Sequence, residues 1–367
     1  MAASTLDRAP GTDSGADAGA ALALPGGFVA DLVAPLMADT RRARLAADLI
    51  GAPLTLACAA QCPDAEIDRE SLRAAAQVQA VRAKPIRRRL AGLCAALANG
   101  GAPPVAFKGL ASAVTLYPRP YLRLVPDADL LFRAEGLPRL TEMLRLWGFA
   151  SVAAPATVRR WGALTEASFA PLAPPDRAFL IDVHRLVDDP PASRGLTTAT
   201  IFDRAITVAS DGGALRVAAP EHAFSILALH AFRDFYKPRG LKSLFDAALL
   251  LARHGPDLDW DAVERAARAG RFMRRMRFYR ALLAEIGLGP LCPVFNERPP
   301  SPHLRRLAAG VAANFRHLTR FRQPDRRKLL FEATLHDSIA ETLRWNGARL
   351  RGLLRPPSHH LPGLPRV

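Results

Sequence analysis

The chain has 367 residues and only four cysteines, Cys58, Cys62, Cys94 and Cys292, with no CxxC pair among them. That pattern supports neither a disulfide framework nor a zinc site, and it suits a reducing cytoplasm. No apolar run reaches the roughly 18 residues that a membrane span needs. "LIGAPLTLACAAQC" comes nearest, and Pro53 interrupts it. The N-terminus carries acids and lacks the basic start of a signal peptide, so residues 1–26 read as a disordered tail. There is no internal repeat. Lysine is scarce beside arginine, a drift in composition without functional content.

What is present bounds the answer further. Half the residues are hydrophobic, enough to bury a sizeable core and to exclude a disordered chain. The formal charge is +16, and residues 261–367 hold 21 Lys or Arg against 8 Asp or Glu, an excess of 13. Such a segment could meet the phosphates of a nucleotide, a nucleic acid or a lipid headgroup, or could simply solvate helix faces. "RFMRRMRFYR" (271–280) interleaves aromatics with arginine, as RNA stacking would require. Its Phe272, Met276 and Tyr279 also share one helical face, as core residues would.

The pattern divides the chain into parts. Residues 27–99 have helical periodicity, with Pro85 expected to kink or divide the second stretch and Gly100-Gly101 to stop it. Residues 100–215 alternate short apolar strands with helices. "PPVAF", "LRLVPDADLLF", "FASVAA", "EASFAPLA" and "AFLIDVHRLV" read as strands, and "EGLPRLTEMLRLWG" as an amphipathic helix. Residues 216–355 are helical again, and 356–367 form a second tail. The class is α+β: a small mixed sheet with N-terminal helices and a C-terminal helical region.

"DADLLF" poses the chemical question. Strand side chains alternate, so Asp127 and Asp129 share one face while Ala128, Leu130 and Phe132 share the other. Two buried carboxylates side by side repel, and burial raises their pKa values. A divalent cation with hard oxygen ligands, Mg²⁺ or Mn²⁺, would relieve both costs. A pair at a strand end facing water is the alternative. Asp182 in "FLIDVHRLV" is a third acid on an apolar strand, and three such acids on one face could serve phosphoryl displacement. Upstream, "VAFKGLASAV" runs strand, Lys108-Gly109, helix. A glycine there admits close approach of a ligand, and the helix N-terminus offers free N–H groups to phosphate. An ordinary strand-to-helix turn is the plain reading. His184 shares the face of Asp182 and could contact a triphosphate or be a hydrogen-bonded structural histidine. Arg123 could clamp a phosphate or pair with a nearby acid. His230 reads as a core or groove histidine, and Asp246 as a residue that caps or orients a neighbour.

The ordered set resembles the nucleotidyltransferase fold of the DNA polymerase β superfamily. It is closest to the uncharacterised bacterial nucleotidyltransferase family. The residues that carry this are Lys108 and Gly109, Arg123, Asp127 and Asp129, then Asp182 and His184. "YPRP" and "PEHAFSILALHAFRDF…LKSLFDAALLL" add to it, and the likeness spans roughly 66–251. The resemblance implies transfer of a nucleoside monophosphate from an NTP to an acceptor. In it, Asp127, Asp129 and Asp182 are metal ligands and catalytic acids. Lys108, Gly109, Ser112, Arg123 and His184 bind the nucleotide, and Mg²⁺ or Mn²⁺ is the cofactor. Two departures stand out: Leu110 follows Gly109 where the superfamily has Ser or Gly, leaving Ser112 three residues on, and Pro126 removes a backbone donor before Asp127. The acceptor, whether small molecule, protein or RNA, is open at this point. So are a catalytically silent nucleotide-binding module of the same fold and a basic RNA- or protein-interaction protein.

Overall fold

A computed structural model describes residues 22–152, 167–234, 240–292, 299–318, 335–340, 342, 343, 347, 361 and 363–365. The molecule is α+β: a mixed seven-stranded sheet with helices before and after it in the chain. Residues 1–21 of the expected N-terminal tail lie outside the described set. So does most of 319–355, where the last of the expected helices falls. Among the described residues, no helix is long and apolar enough to cross a membrane.

A first helical stretch runs through Gly26–Phe28, a π segment Val29–Val33, and Ala34–Leu36, burying Phe28, Leu32, Val33 and Leu36. Helix α1 (Thr40–Ile50) follows, capped by the Asp39 carboxylate, which accepts from the Arg42 N–H at 2.8 Å. Gly51, at φ +96°, turns the chain directly into α2 (Ala52–Ala60), with Pro53 in its first turn. Asp68 caps α3 (Arg69–Asn99), which keeps Pro85 inside one continuous helix. The expected division at Pro85 therefore does not occur. The proline removes the donor for the carbonyl of Val81, but Val81 is 74% exposed and water can serve it. Leu72 and Ala76 before it, and Leu90, Ala91, Cys94 and Leu97 after it, are buried and pin both halves.

The sheet is made of β1 (Val105–Phe107), β2 (Asp127–Leu131), β3 (Ala150–Ser151), β4 (Leu172–Ala173), β5 (Leu180–His184), β6 (Ile206–Val208) and β7 (Leu215–Val217). Their order is β3-β4-β5-β2-β1-β7-β6. Helix α4 (Lys108–Thr115) leaves β1 without a loop, and α5 (Leu137–Leu146) follows β2, burying Leu140, Met143 and Leu144. Helix α6 (Thr198–Arg204) precedes the β6–β7 hairpin. Then come α7 (Pro220–Asp234), α8 (Gly240–His254), α9 (Trp260–Ala269), α10 (Met273–Glu285) and α11 (Pro302–His317).

Two hydrophobic cores flank the sheet, and β2 shows how they orient the acids. Its Ala128 and Leu130, with Phe132 just beyond, pack with Leu90 and Leu97 of α3 and Leu140 and Leu144 of α5. Each fully buried leucine contributes roughly 1.5–3 kcal/mol relative to exposure. Leu131 packs on the other side, in the core that includes residues of α7, α8 and α10. Alternation then places Asp127 and Asp129 on the Leu131 side, facing the later helices. In α10, Phe272 at the N-cap, Met276 and Tyr279 are all buried, so the aromatics of 271–280 serve the core. Part of the expected second tail also packs down: Leu361 and Leu364 are buried, and the Ser151 N–H donates to the Pro365 carbonyl at 2.8 Å.

Candidate active site

Pairing of the central strands brings the chemistry together. β2 runs antiparallel to β1, with Asp129 opposite Phe107, and parallel to β5, with Asp129 opposite Asp182. One carboxylate is thus flanked by Lys108, the next residue after Phe107, and by a second carboxylate. His184 lies two residues beyond Asp182, on the same face.

Asp129 is the hub, only 6% exposed. Its Oδ1 accepts from the Lys108 ammonium at 2.5 Å and lies 3.0 Å from Nε2 of His184. The His184 ring also meets Phe107 edge-on at 4.9 Å. Ligand atoms of Asp129, Asp182 and His184 all lie within 4.8 Å of one another. Asp127 stands outside that group, half-buried on the same strand face.

The electrostatics follow from burial and crowding. Burial, and after it the charges of Asp129 and Asp127, push the Asp182 carboxyl up to about 7, with Lys108 only partly offsetting them. Burial and then Asp129 raise Asp127 as well. Asp129 goes the other way: burial opposes its charge, but Lys108 and His184 outweigh this and hold it well below the usual carboxylate range. Burial lowers the pKa of His184, so its neutral ring donates to Asp129 through Nε2–H.

The turn into α4 is unusual at Lys108 rather than at Gly109. Lys108 adopts φ +56°, a left-handed conformation that costs a non-glycine residue on the order of 1 kcal/mol. That conformation accompanies the ion pair of its side chain with Asp129. The N-cap residue Phe107 gives the helix no side-chain cap, which leaves the first N–H groups of α4 for another partner. A Cβ on Gly109 would lie 3.7–3.9 Å from the Arg123 guanidinium, ordinary contact. Ser112 is buried one turn on, in a crevice of about 30 Å³ shared with Lys108, Ala223, Leu250 and His254.

Arg123 is engaged inside the protein. Its Nε and Nη2 each donate to Asp246 of α8 at 2.8 Å, and its Nη1 donates to the Leu124 carbonyl at 2.7 Å. The Tyr117 hydroxyl also donates to Asp246, at 2.8 Å. Burial works against the charge of Arg123, and Asp246 more than restores it. An arginine held in this way shapes the site instead of offering a fork to phosphate. Asp246 orients a neighbour, as its setting suggested, and His230 lies 3.1 Å from the Val187 carbonyl.

One residue of the site was passed over in the sequence. Lys242 of α8 acts electrostatically on Asp127, alongside Lys108 and Arg123. The signal was available, because Lys242 stands one helical turn before the buried Asp246 and therefore on the same face.

The Asp129–Asp182 register, the Lys108 turn and the following histidine form the arrangement on which a known family can be matched. A model of an uncharacterised nucleotidyltransferase family matches residues 40–287, more than half of the chain. The chain belongs to this nucleotidyltransferase family. Searches of curated proteins and of solved structures returned no match. The family span begins at α1 and ends just after α10, so it takes in the whole sheet and every residue of the site.

A divalent ion, implied by a nucleotidyltransferase, suits the residues present. Among the described residues Oδ1 of Asp182, which is buried, has no hydrogen-bond partner, and the donor set is two carboxylates and an imidazole. Oxygen ligands suit Mg²⁺, and the imidazole is equally acceptable to Mn²⁺.

Proposed function

We propose that the protein transfers a nucleoside monophosphate from an NTP to an acceptor hydroxyl and releases pyrophosphate. The observation that carries this reading is the side-by-side register of Asp129 and Asp182, which leaves one buried carboxylate oxygen without a partner beside Lys108 and His184. Asp129 and Asp182 would hold a divalent ion, with Asp127 at its edge and His184 orienting Asp129. Such an ion, when bound, neutralises charge on the phosphates and on the acids. Lys108 exchanges Asp129 for the triphosphate, which also meets the free N–H groups at the start of α4. Lys242 adds positive charge on the Asp127 side. His184 holds Asp129 in place through Nε2–H. Asp182 has two oxygens, so it can ligate through one and take the proton of the acceptor hydroxyl at the other. The acceptor oxygen bonds to the α-phosphorus as the bond to the β-phosphate oxygen breaks. Arg123, fixed by Asp246, positions the turn.

The test is incubation of the full chain and bacterial lysate with α-³²P-labelled NTPs and Mg²⁺ or Mn²⁺. The reading predicts label transferred to an acceptor by the parent chain and none by Asp129→Asn or Asp182→Asn. A catalytically silent nucleotide-binding module is the second reading, favoured by the Lys108 ammonium lying directly on Asp129. NTP binding without transfer of label in any fraction would select it.

A further inference from the structure

The nucleotide site leaves one well-defined cavity among the described residues unused. A groove of about 620 Å³ lies between one face of α3 and residues 123–125. Val78, Arg82, Ile86 and Arg87 line it from the helix, with Arg123 and Val125 opposite. Its helical wall follows positions 75, 78, 82 and 86, a single stripe along α3 that the other described residues leave open. Val78 is 52% exposed there.

Arg123 links this groove to the acids, none of which lines it. Arg123 is a wall common to both: it lines the groove, it sits against Gly109 of the phosphate turn, and its charge acts on Asp127. Only Pro126 separates Val125 from Asp127.

We propose that the groove binds the acceptor, and that the acceptor is an amphipathic small molecule with an aliphatic body and one anionic group. This rests on the nucleotidyl-transfer reading. The volume falls within the roughly 300–1,000 Å³ of small-molecule sites. The apolar walls are alanine, valine, isoleucine and leucine, suited to an aliphatic body. Among the described residues no aromatic side chain lines the groove, so nucleobases would find nothing to stack on, which argues against RNA. The charge selects an anion. The described residues that line the groove include Arg82, Arg87 and Arg123 and no Asp or Glu. Arg82 at the exposed side and Arg87 at the buried side of the helix place two guanidiniums along the stripe. The anionic group meets Arg82 while the far end of the molecule, carrying the hydroxyl, reaches past Arg123 toward Asp127.

The test uses the full chain and titration calorimetry with decanoate, decyl phosphate and decanol. One saturable site is expected for decanoate or decyl phosphate, whichever anion fits better, with decanol at least tenfold weaker. Ala75→Trp, which fills the groove, and Arg82→Gln, which removes an exposed charge, should each weaken the anion at least tenfold. Both variants should keep the parent's thermal shift with Mg²⁺ and ATP, which also shows that they fold. Equal binding of decanol, no saturable binding, indifference to Ala75→Trp, or displacement by a single-stranded oligonucleotide would each overturn the proposal. Loss of the Mg²⁺–ATP shift in the parent, with decanoate still bound, would instead sink the nucleotidyl-transfer reading and with it the acceptor role of the groove.

Discussion

Two aspartates in this molecule, Asp246 buried and Asp182 half-buried, have opposite surroundings. Asp246 on α8 is 1% exposed and accepts three hydrogen bonds, one from Tyr117 and two from Arg123. Asp182 on β5 has Asp129 beside it, feels the charge of Asp127, and has a buried oxygen with no partner among the described residues. The first cluster is closed: every charge has its counterpart inside the protein. The second is open: Asp129 and Asp182 share Lys108 and a histidine whose pKa burial lowers, and Lys242 acts on Asp127. Burying charge is tolerable only where it is paired. The difference teaches that the closed cluster is architecture, and that the open one is held for something that comes from outside.

The largest expected effect breaks the closed side. Asp246→Ala leaves the Arg123 guanidinium buried and unpaired, so urea denaturation should show a loss of about 3–5 kcal/mol, with or without metal. A loss under 1 kcal/mol would mean that the pair is not structural. Asp182→Asn should act in the opposite direction. Without metal it removes like-charge repulsion, and at pH 8 it should stabilise the protein by about 1–3 kcal/mol.

The same group sets a pH dependence. The Asp182 carboxyl is raised from its ordinary 3.8 to about 7 in the fold. Below about pH 4 both folded and unfolded chains keep this proton. Between about 4 and 7 only the unfolded chain releases it, so this group's contribution falls with rising pH and levels off above 7. The metal-free parent should therefore lose stability across that window relative to Asp182→Asn, measured as midpoints of denaturant unfolding at each pH. Parallel profiles for the two proteins would contradict it.

Lys108→Met should cost the metal-free protein about 1–3 kcal/mol, because Asp129 loses its cationic partner and is left buried with His184. Added Mg²⁺ should recover part of that loss, as measured by thermal unfolding. Gly109→Ala should change stability by less than about 0.5 kcal/mol, since the new methyl meets Arg123 only at van der Waals distance. A large loss there would relocate the strained position of the turn from Lys108 to Gly109.

Much of this was legible in the sequence, and the gaps have physical causes. Alternation in "DADLLF" gave the shared face of Asp127 and Asp129, because a strand buried on one side must keep its apolar residues in register. The α+β class and the strand-turn-helix at Lys108 also followed from local pattern. Pairing between strands did not: that Asp129 abuts Asp182 while Asp127 stands apart depends on a register of distant segments. The fate of Arg123 turned on Asp246, 123 residues away, which local reading could not pair with it. The β6–β7 hairpin was passed over: β6 is largely exposed, so burial imposes no apolar alternation on it. Pro85 marks a boundary only when nothing pins both sides of it, and here the buried residues of α3 do.

The central claim is that the open carboxylate cluster exists to hold a divalent cation. The most direct test is titration of the metal-free full chain with Mn²⁺, followed by electron paramagnetic resonance of the free ion, for the parent, Asp129→Asn, Asp182→Asn and Gly109→Ala. Saturable Mn²⁺ binding by the parent and Gly109→Ala, with affinity lowered at least tenfold in each aspartate variant, is the predicted result. Equal Mn²⁺ binding by all four proteins, or none by the parent, would contradict the account.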